Sequence, residues 1–132
     1  MHVGTCEMSK ASIGEIVADG FSARSENQGT AIIVRLRGNA DMAVQERLKA
    51  FLDALSAATE SKRPSEAVFE IEELYFMNSS CLSLLLRFLN AALKSPSPNG
   101  YKIRFRSNPN LRWQKKSLQA LLAYAPDLVI VE

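Results

Sequence analysis

Asn78, Ser79, Ser80 and Cys81 stand in a row at the head of the most apolar stretch of the chain, LSLLLRFLNAALK, and are the residues best placed to do chemistry. A polar triplet before an apolar run reads first as a helix start, because Asn and Ser oxygens accept hydrogen bonds from first-turn amides that have no partner in the helix. The context adds a second role. VFEIEELYFM leads straight into the triplet, so two hydroxyls fall where free helix amides converge. A phosphate there is favoured by the helix dipole and the unpaired N–H groups. It also brings a charge of about −1.5 to −2 to the edge of an apolar surface, enough to reverse what that surface binds.

Other chemistries lack partners. Cys81 at a helix N-terminus can act as a reactive thiol, against which stands its plainer reading as a small, semi-buried residue. A serine or cysteine hydrolase needs a base, and the only histidine is His2. There is no G-x-S-x-G elbow and no glycine-rich phosphate loop. Cys6 and Cys81 have neither zinc-site spacing nor the density of a disulfide scaffold. No enzyme activity, cofactor or metal is therefore expected. Lys102, Arg104, Arg106, Arg112, Lys115 and Lys116, with Tyr101 and Trp113 nearby, can form a basic, aromatic-bearing surface. Charge on outer strand and helix faces is more commonly solvated or ion-paired, and a formal charge of +2 is slight, so no nucleic-acid partner is expected.

The elements that position the triplet follow from hydrophobic periodicity. Between Thr30 and Gly38, Ile32, Val34 and Leu36 alternate with Ile33, Arg35 and Arg37, which is strand spacing. Phe21 to Asn27 can form a preceding hairpin strand. Asp41 is placed to cap a helix carrying Val44, Leu48, Phe51, Leu52 and Leu55 on one side. After the polar connection 61–66, with Pro64, Phe69 and Ile71 alternate with Glu70 and Glu72 in another strand. In the helix that follows, Ser83, Arg87, Asn90 and Lys94 form a single polar stripe. Leu82, Leu84, Leu85, Leu86, Phe88, Leu89 and Leu93 span an arc too wide for one sheet layer, so other helices or a partner must cover the rest. SPSPNG, residues 95–100, is a loop.

Tyr101, Ile103 and Phe105 then alternate with Lys102, Arg104 and Arg106, and Asn110 can cap a last helix with Leu111, Leu118, Leu121, Leu122 and Ala125, stopped by Pro126. Leu128 to Val131 is a short closing strand. The order predicts an α/β domain with a mostly parallel sheet of four or five strands and right-handed crossovers. Because Arg35, Arg37, Glu70, Glu72, Arg104 and Arg106 all lie opposite apolar positions, helices should cover mainly one face and leave the other laced with Arg–Glu neighbours. Residues 1–20 read as a partly ordered extension and 21–132 as the domain. No apolar stretch approaches the 18 or so residues that span a bilayer, and a reduced cytoplasmic setting fits the cysteines.

VFEIEELYFMNSSCLSLLLRFL resembles the core signature of the STAS domain, the family of anti-sigma factor antagonists and of the regulatory ends of sulfate transporters. There a strand with an apolar-Asp-apolar triplet leads to Asp-Ser-Ser/Thr-Gly-Leu and a leucine-rich helix. Glu70 takes the place of the strand's acidic residue, and Asn78, Ser79, Ser80, Cys81 and Leu82 follow the loop motif, with Asn78 in place of Asp and Cys81 in place of Gly. VRLRGNADMA is similar to the family's strand-to-helix passage around Gly38, and IRFRSNPNLRWQKKSLQALL to its strand-Asn-Pro-helix segment, so that the resemblance covers approximately residues 21–131.

The resemblance implies a regulatory protein that binds a serine-kinase-like anti-sigma factor through Asn78, Ser79, Ser80, Cys81 and Leu82, with Ser80 as phosphoacceptor, in bacterial partner switching. It equally admits a subunit that binds without phosphorylation, in a lipid-transport or scaffold complex. A homodimer stays open, and direct membrane insertion is not expected.

Overall fold

The computed structural model describes residues 15–94 and 100–132. His2, Cys6 and most of the 95–100 loop therefore lie outside the described residues. The chain forms strands β1 (Glu15–Ala18), β2 (Phe21–Gln28), β3 (Ala31–Ala40), β4 (Glu66–Glu70), β5 (Leu74–Met77), β6 (Lys102–Arg106) and β7 (Val129–Val131). Helices α1 (Gln45–Lys62), α2 (Ser79–Lys94) and α3 (Arg112–Tyr124) alternate with the later strands.

The seven strands make one sheet in the order β1-β2-β3-β4-β6-β7, with β5 as a second neighbour of β3. The β3–β4, β3–β5, β4–β6 and β6–β7 pairs are parallel, and the β1–β2 and β2–β3 hairpins are antiparallel. The sheet is thus mixed and larger than the four or five strands expected. Two small strands account for the difference. β1 lies in the stretch read as an extension and joins β2 through Asp19-Gly20, with Gly20 in the left-handed region at φ 78°. β5 is cut from β4 by a turn at 71–73, so that the long strand read around Phe69 becomes two.

One face carries the core. Ile32, Val34 and Leu36 of β3, Phe69 of β4 with Ile71, and Ile103 and Phe105 of β6 are buried together with Leu48, Phe51, Leu52 and Leu55 of α1. Cys81, Leu85, Phe88 and Leu89 of α2, and Leu118 and Leu121 of α3, complete this layer. Phe69 anchors its centre, edge-on to Phe88 at 5.6 Å and stacked on Phe105 at 5.1 Å.

The opposite face is the expected Arg–Glu lattice. Arg35 binds Glu26 at 2.7 Å and Glu70 at 2.8 Å, and Arg106 reaches Glu70 at 3.2 Å and Glu132 at 3.6 Å. Arg104 joins Glu132 at 2.6 Å to Glu66 at 3.0 Å. Each guanidinium lies between two carboxylates, from neighbouring strands or from Glu132 just past β7, which suits its planar fork of donors. With Lys102 donating to the Asp127 carbonyl at 2.5 Å, half of the basic set noted in the sequence is committed within the fold. Arg112, Lys115 and Lys116 remain exposed on α3.

Two capping expectations are corrected. Asp41 caps a 3-10 turn, Met42–Val44, by accepting the Ala43 amide at 2.9 Å, and α1 begins only at Gln45. Leu111, not Asn110, precedes α3, with no side-chain cap. Asn108 instead folds back to accept the Asn110 amide at 2.9 Å, a local turn that competes with capping. Leu122, read as a core position, is exposed, whereas Gln114 is 1% exposed.

Candidate partner-binding loop

β3 positions the loop by changing partners along its length. Up to Arg35 it pairs with β4, and from Gly38 it pairs with β5. The register slips between Gly38 and Asn39, which face Leu74 and Phe76, leaving Tyr75 as the extra residue of a bulge. Gly38 has φ 94°, and a Cβ on it would lie 2.1 Å from the Gly20 carbonyl oxygen. Only glycine fits there. Beyond it, Ala40 pairs with Met77, and the Ala40 carbonyl accepts the Asn78 amide at 2.9 Å.

Asn78 is the hinge between sheet and helix. Its side-chain oxygen accepts the Cys81 amide at 2.8 Å and its carbonyl accepts the Leu82 amide at 3.0 Å, which is N-cap geometry. The cap read from the sequence is therefore Asn78, and the two serines occupy the first positions of α2. Both are exposed. The Ser79 carbonyl accepts the Ser83 hydroxyl at 3.1 Å, while the Ser80 hydroxyl has no hydrogen-bond partner among the described residues.

Cys81 points the other way. It is fully buried in the core layer, with its Sγ 3.7 Å from the Asp41 carbonyl oxygen. Burial pushes its thiol pKa up, and the Asp41 charge adds to that shift. The helix N-terminus, which alone would lower it, does not prevail. A side chain where the family signature has glycine thus fills space beneath the loop and leaves the outer surface clear. Leu82 is half-buried against the core, Leu85 is fully inside, and Leu86 is half-buried beside it.

The other side of the site is held by residues the sequence pattern does not single out. The buried Gln114 amide donates to the carbonyls of Ile71 at 2.7 Å and Leu74 at 3.0 Å, and its oxygen accepts the Asn108 amide at 2.8 Å. Asn108 donates to the Glu72 carbonyl at 3.0 Å. The start of α3 is thereby fastened to the turn that launches β5. Tyr75 and Phe76 are exposed side by side in β5, although a strand of alternating pattern would hide one of them. Among the described residues no cluster of His, Cys, Asp and Glu can hold a metal, and no helix is long and apolar enough to cross a membrane. A groove of about 370 Å³ beside α3, lined by Asn108, Gln114, Leu118, Leu122 and Val131 among others, has Lys115 as its one charged residue and no carboxylate, thiol or imidazole.

The mixed sheet with helices on one face is the STAS fold. An anti-sigma factor antagonist from Mycobacterium paratuberculosis superposes with a TM-score of 0.62 at 16% identity, over 86% of this chain and 88% of that one. The anti-sigma factor antagonist SpoIIAA in its unphosphorylated form gives a TM-score of 0.51 at 18% identity, over 91% and 87%. No protein-family model and no curated protein matches the chain by sequence.

Proposed function

We propose that this chain is a regulatory protein-interaction domain of the anti-sigma factor antagonist type, acting in the cytoplasm and binding a serine-kinase-like anti-sigma factor through Asn78, Ser79, Ser80, Leu82 and the first turns of α2, while Cys81, expected from the sequence to share in the contact, is buried and supports the loop from beneath. The observation that carries the reading is the state of Ser80: exposed, unpartnered among the described residues, and mounted on a helix start that Asn78 holds rigidly to β3. A kinase needs such a hydroxyl. In the proposed step the Ser80 oxygen bonds to the γ-phosphorus of ATP, the bond to ADP breaks, and the hydroxyl proton leaves to the kinase. The phosphate then sits at the positive end of α2, where the dipole favours it, and its charge and volume displace an apolar partner surface.

The test compares wild-type, Ser80→Ala and Ser80→Asp proteins by calorimetric titration with the kinase-like protein encoded nearest the chain's own gene. Ser80→Ala should bind as wild type does and Ser80→Asp about tenfold or more weakly. Equal affinities for the two variants refute the switch. Incubation with that kinase and ATP should add one phosphate by intact mass to wild type and none to Ser80→Ala.

A second reading has its own support. Asn78 brings no carboxylate to the loop and spends its side-chain oxygen on the Cys81 amide. Such a loop suits constitutive binding, as in a non-phosphorylated subunit of a lipid-transport or scaffold complex. Unchanged mass beside tight binding to a membrane ATPase decides for this reading.

A further inference from the structure

Two residues before Asn78, the sheet exposes an aromatic pair that has no part in the loop's proposed chemistry. Tyr75 is 55% and Phe76 46% exposed, between the buried Leu74 and Met77. The bulge at Tyr75 causes this, because it breaks the two-residue alternation and spaces the buried side chains three apart. Phe76 pairs with Asn39, and two residues beyond Asn39 the chain enters the Asp41–Met42 turn, where Met42 is 79% exposed. Adjacent exposed apolar side chains of this size mark an interaction surface.

The charges around the pair differ from those elsewhere on the sheet. Glu26, Glu66 and Glu70 on the open face are each bound to arginine. At the β5 end Glu72, Glu73 and Asp41 are all exposed. Among the described residues, Glu73 has only a loose 3.9 Å contact with Arg37, and Glu72 and Asp41 have no ion pair. An acidic rim left unneutralised around apolar anchors selects the opposite sign in what it binds.

We propose that Tyr75 and Phe76 anchor a docking surface for a partner protein segment that presents apolar side chains between Lys or Arg residues. This deepens the proposed function by naming the chemistry of the partner, and its test does not depend on Ser80. The full chain, isotope-labelled, is titrated with a synthetic amphipathic helix of leucine and lysine and with its counterpart carrying glutamate for lysine. Vesicles of phosphatidylcholine and phosphatidylglycerol form a third arm.

The lysine peptide should bind, with amide shifts centred on residues 41–42 and 72–77. Tyr75→Ser with Phe76→Ser, and separately Glu72→Lys with Glu73→Lys, should each weaken it about tenfold or more, whereas Gln119→Ala, at an exposed position of α3, should leave it unchanged. All four substituted side chains are exposed, so thermal melts should match wild type. Equal binding of the glutamate peptide, shifts centred elsewhere, unchanged affinity in the two double variants, or vesicle binding that Tyr75→Ser diminishes would each overturn the proposal.

Discussion

The side-chain oxygen of Asn78 lies 2.8 Å from the amide nitrogen of Cys81, while the Asn78 amide is itself bound to Ala40 at 2.9 Å. One residue therefore joins the end of β3 to the first turn of α2. Asn78→Ala should lower unfolding stability by about 1 kcal/mol, the usual cost of losing a cap. Asn78→Asp keeps the acceptor and adds a negative charge at the positive end of the helix, so it should raise stability by about 0.3–1 kcal/mol at low ionic strength. Urea denaturation at low and high salt checks both, because the gain from aspartate alone should shrink with screening.

Gly38 and Gly20 supply a sharper test of how the loop is positioned. Gly38→Ala puts a Cβ against the Gly20 carbonyl in a backbone conformation that alanine avoids, and should cost ~3 kcal/mol or more. Gly29, at φ 61° in the β2–β3 turn, has nothing within 4 Å of the place an added Cβ would take. The same substitution there should cost only about 1–2 kcal/mol. Thermal melts of the two variants separate steric contact from backbone strain.

Where the pattern was periodic, the sequence disclosed the structure. β3, β4 and β6 announce themselves because Ile32, Val34 and Leu36, Phe69, and Ile103 and Phe105 alternate with charges that pair across the open face. β1 was missed, because residues 1–20 show no sustained period and read as an extension, and a four-residue strand is too short to set one, even with Asp19-Gly20 as a turn signal before Phe21. β5 was missed too. Its bulge lies opposite Gly38, which packs against Gly20 18 residues away in the chain, so Tyr75 and Phe76 carry no local mark of exposure. Gln114 was illegible for a related reason: only the fold shows that the Ile71 and Leu74 carbonyls await its amide. For the loop, the residues were readable but their division of labour was not, since capping by Asn78 and inward packing of Cys81 depend on Ala40 and Asp41 across the sheet.

The open sheet face makes stability depend on acid pH. Hydrogen bonding to Arg35, with the charges of Arg35 and Arg24, holds the Glu26 carboxyl below the usual carboxylate range against a smaller desolvation effect. A depressed folded-state pKa contributes stability that is present above the unfolded carboxylate value and lost as pH falls through the folded one. Wild type should therefore lose stability faster than Glu26→Gln as pH drops below about 4.5, and the two curves should run parallel once Glu26 is protonated in the folded state. Urea midpoints across an acidic series measure this; curves parallel over the whole series would remove Glu26 from the account.

Cys81 behaves in the opposite sense at the alkaline end. Burial, then the charge of Asp41, raises its folded-state pKa, so the neutral thiol is the form that the core accepts. Stability from this source is complete below the unfolded thiol pKa and is lost as pH rises through the folded one, because the unfolded chain releases the proton first. Cys81→Ala should flatten the alkaline limb of the stability curve at the cost of about 1 kcal/mol at neutral pH from the lost packing. In a Cys6→Ser background, iodoacetamide at neutral pH should leave the native thiol unmodified and label it only in proportion to unfolding by urea. Rapid labelling of the folded protein would place the sulfur at the surface, where it would crowd Ser80 and hinder the approach of a kinase to the loop.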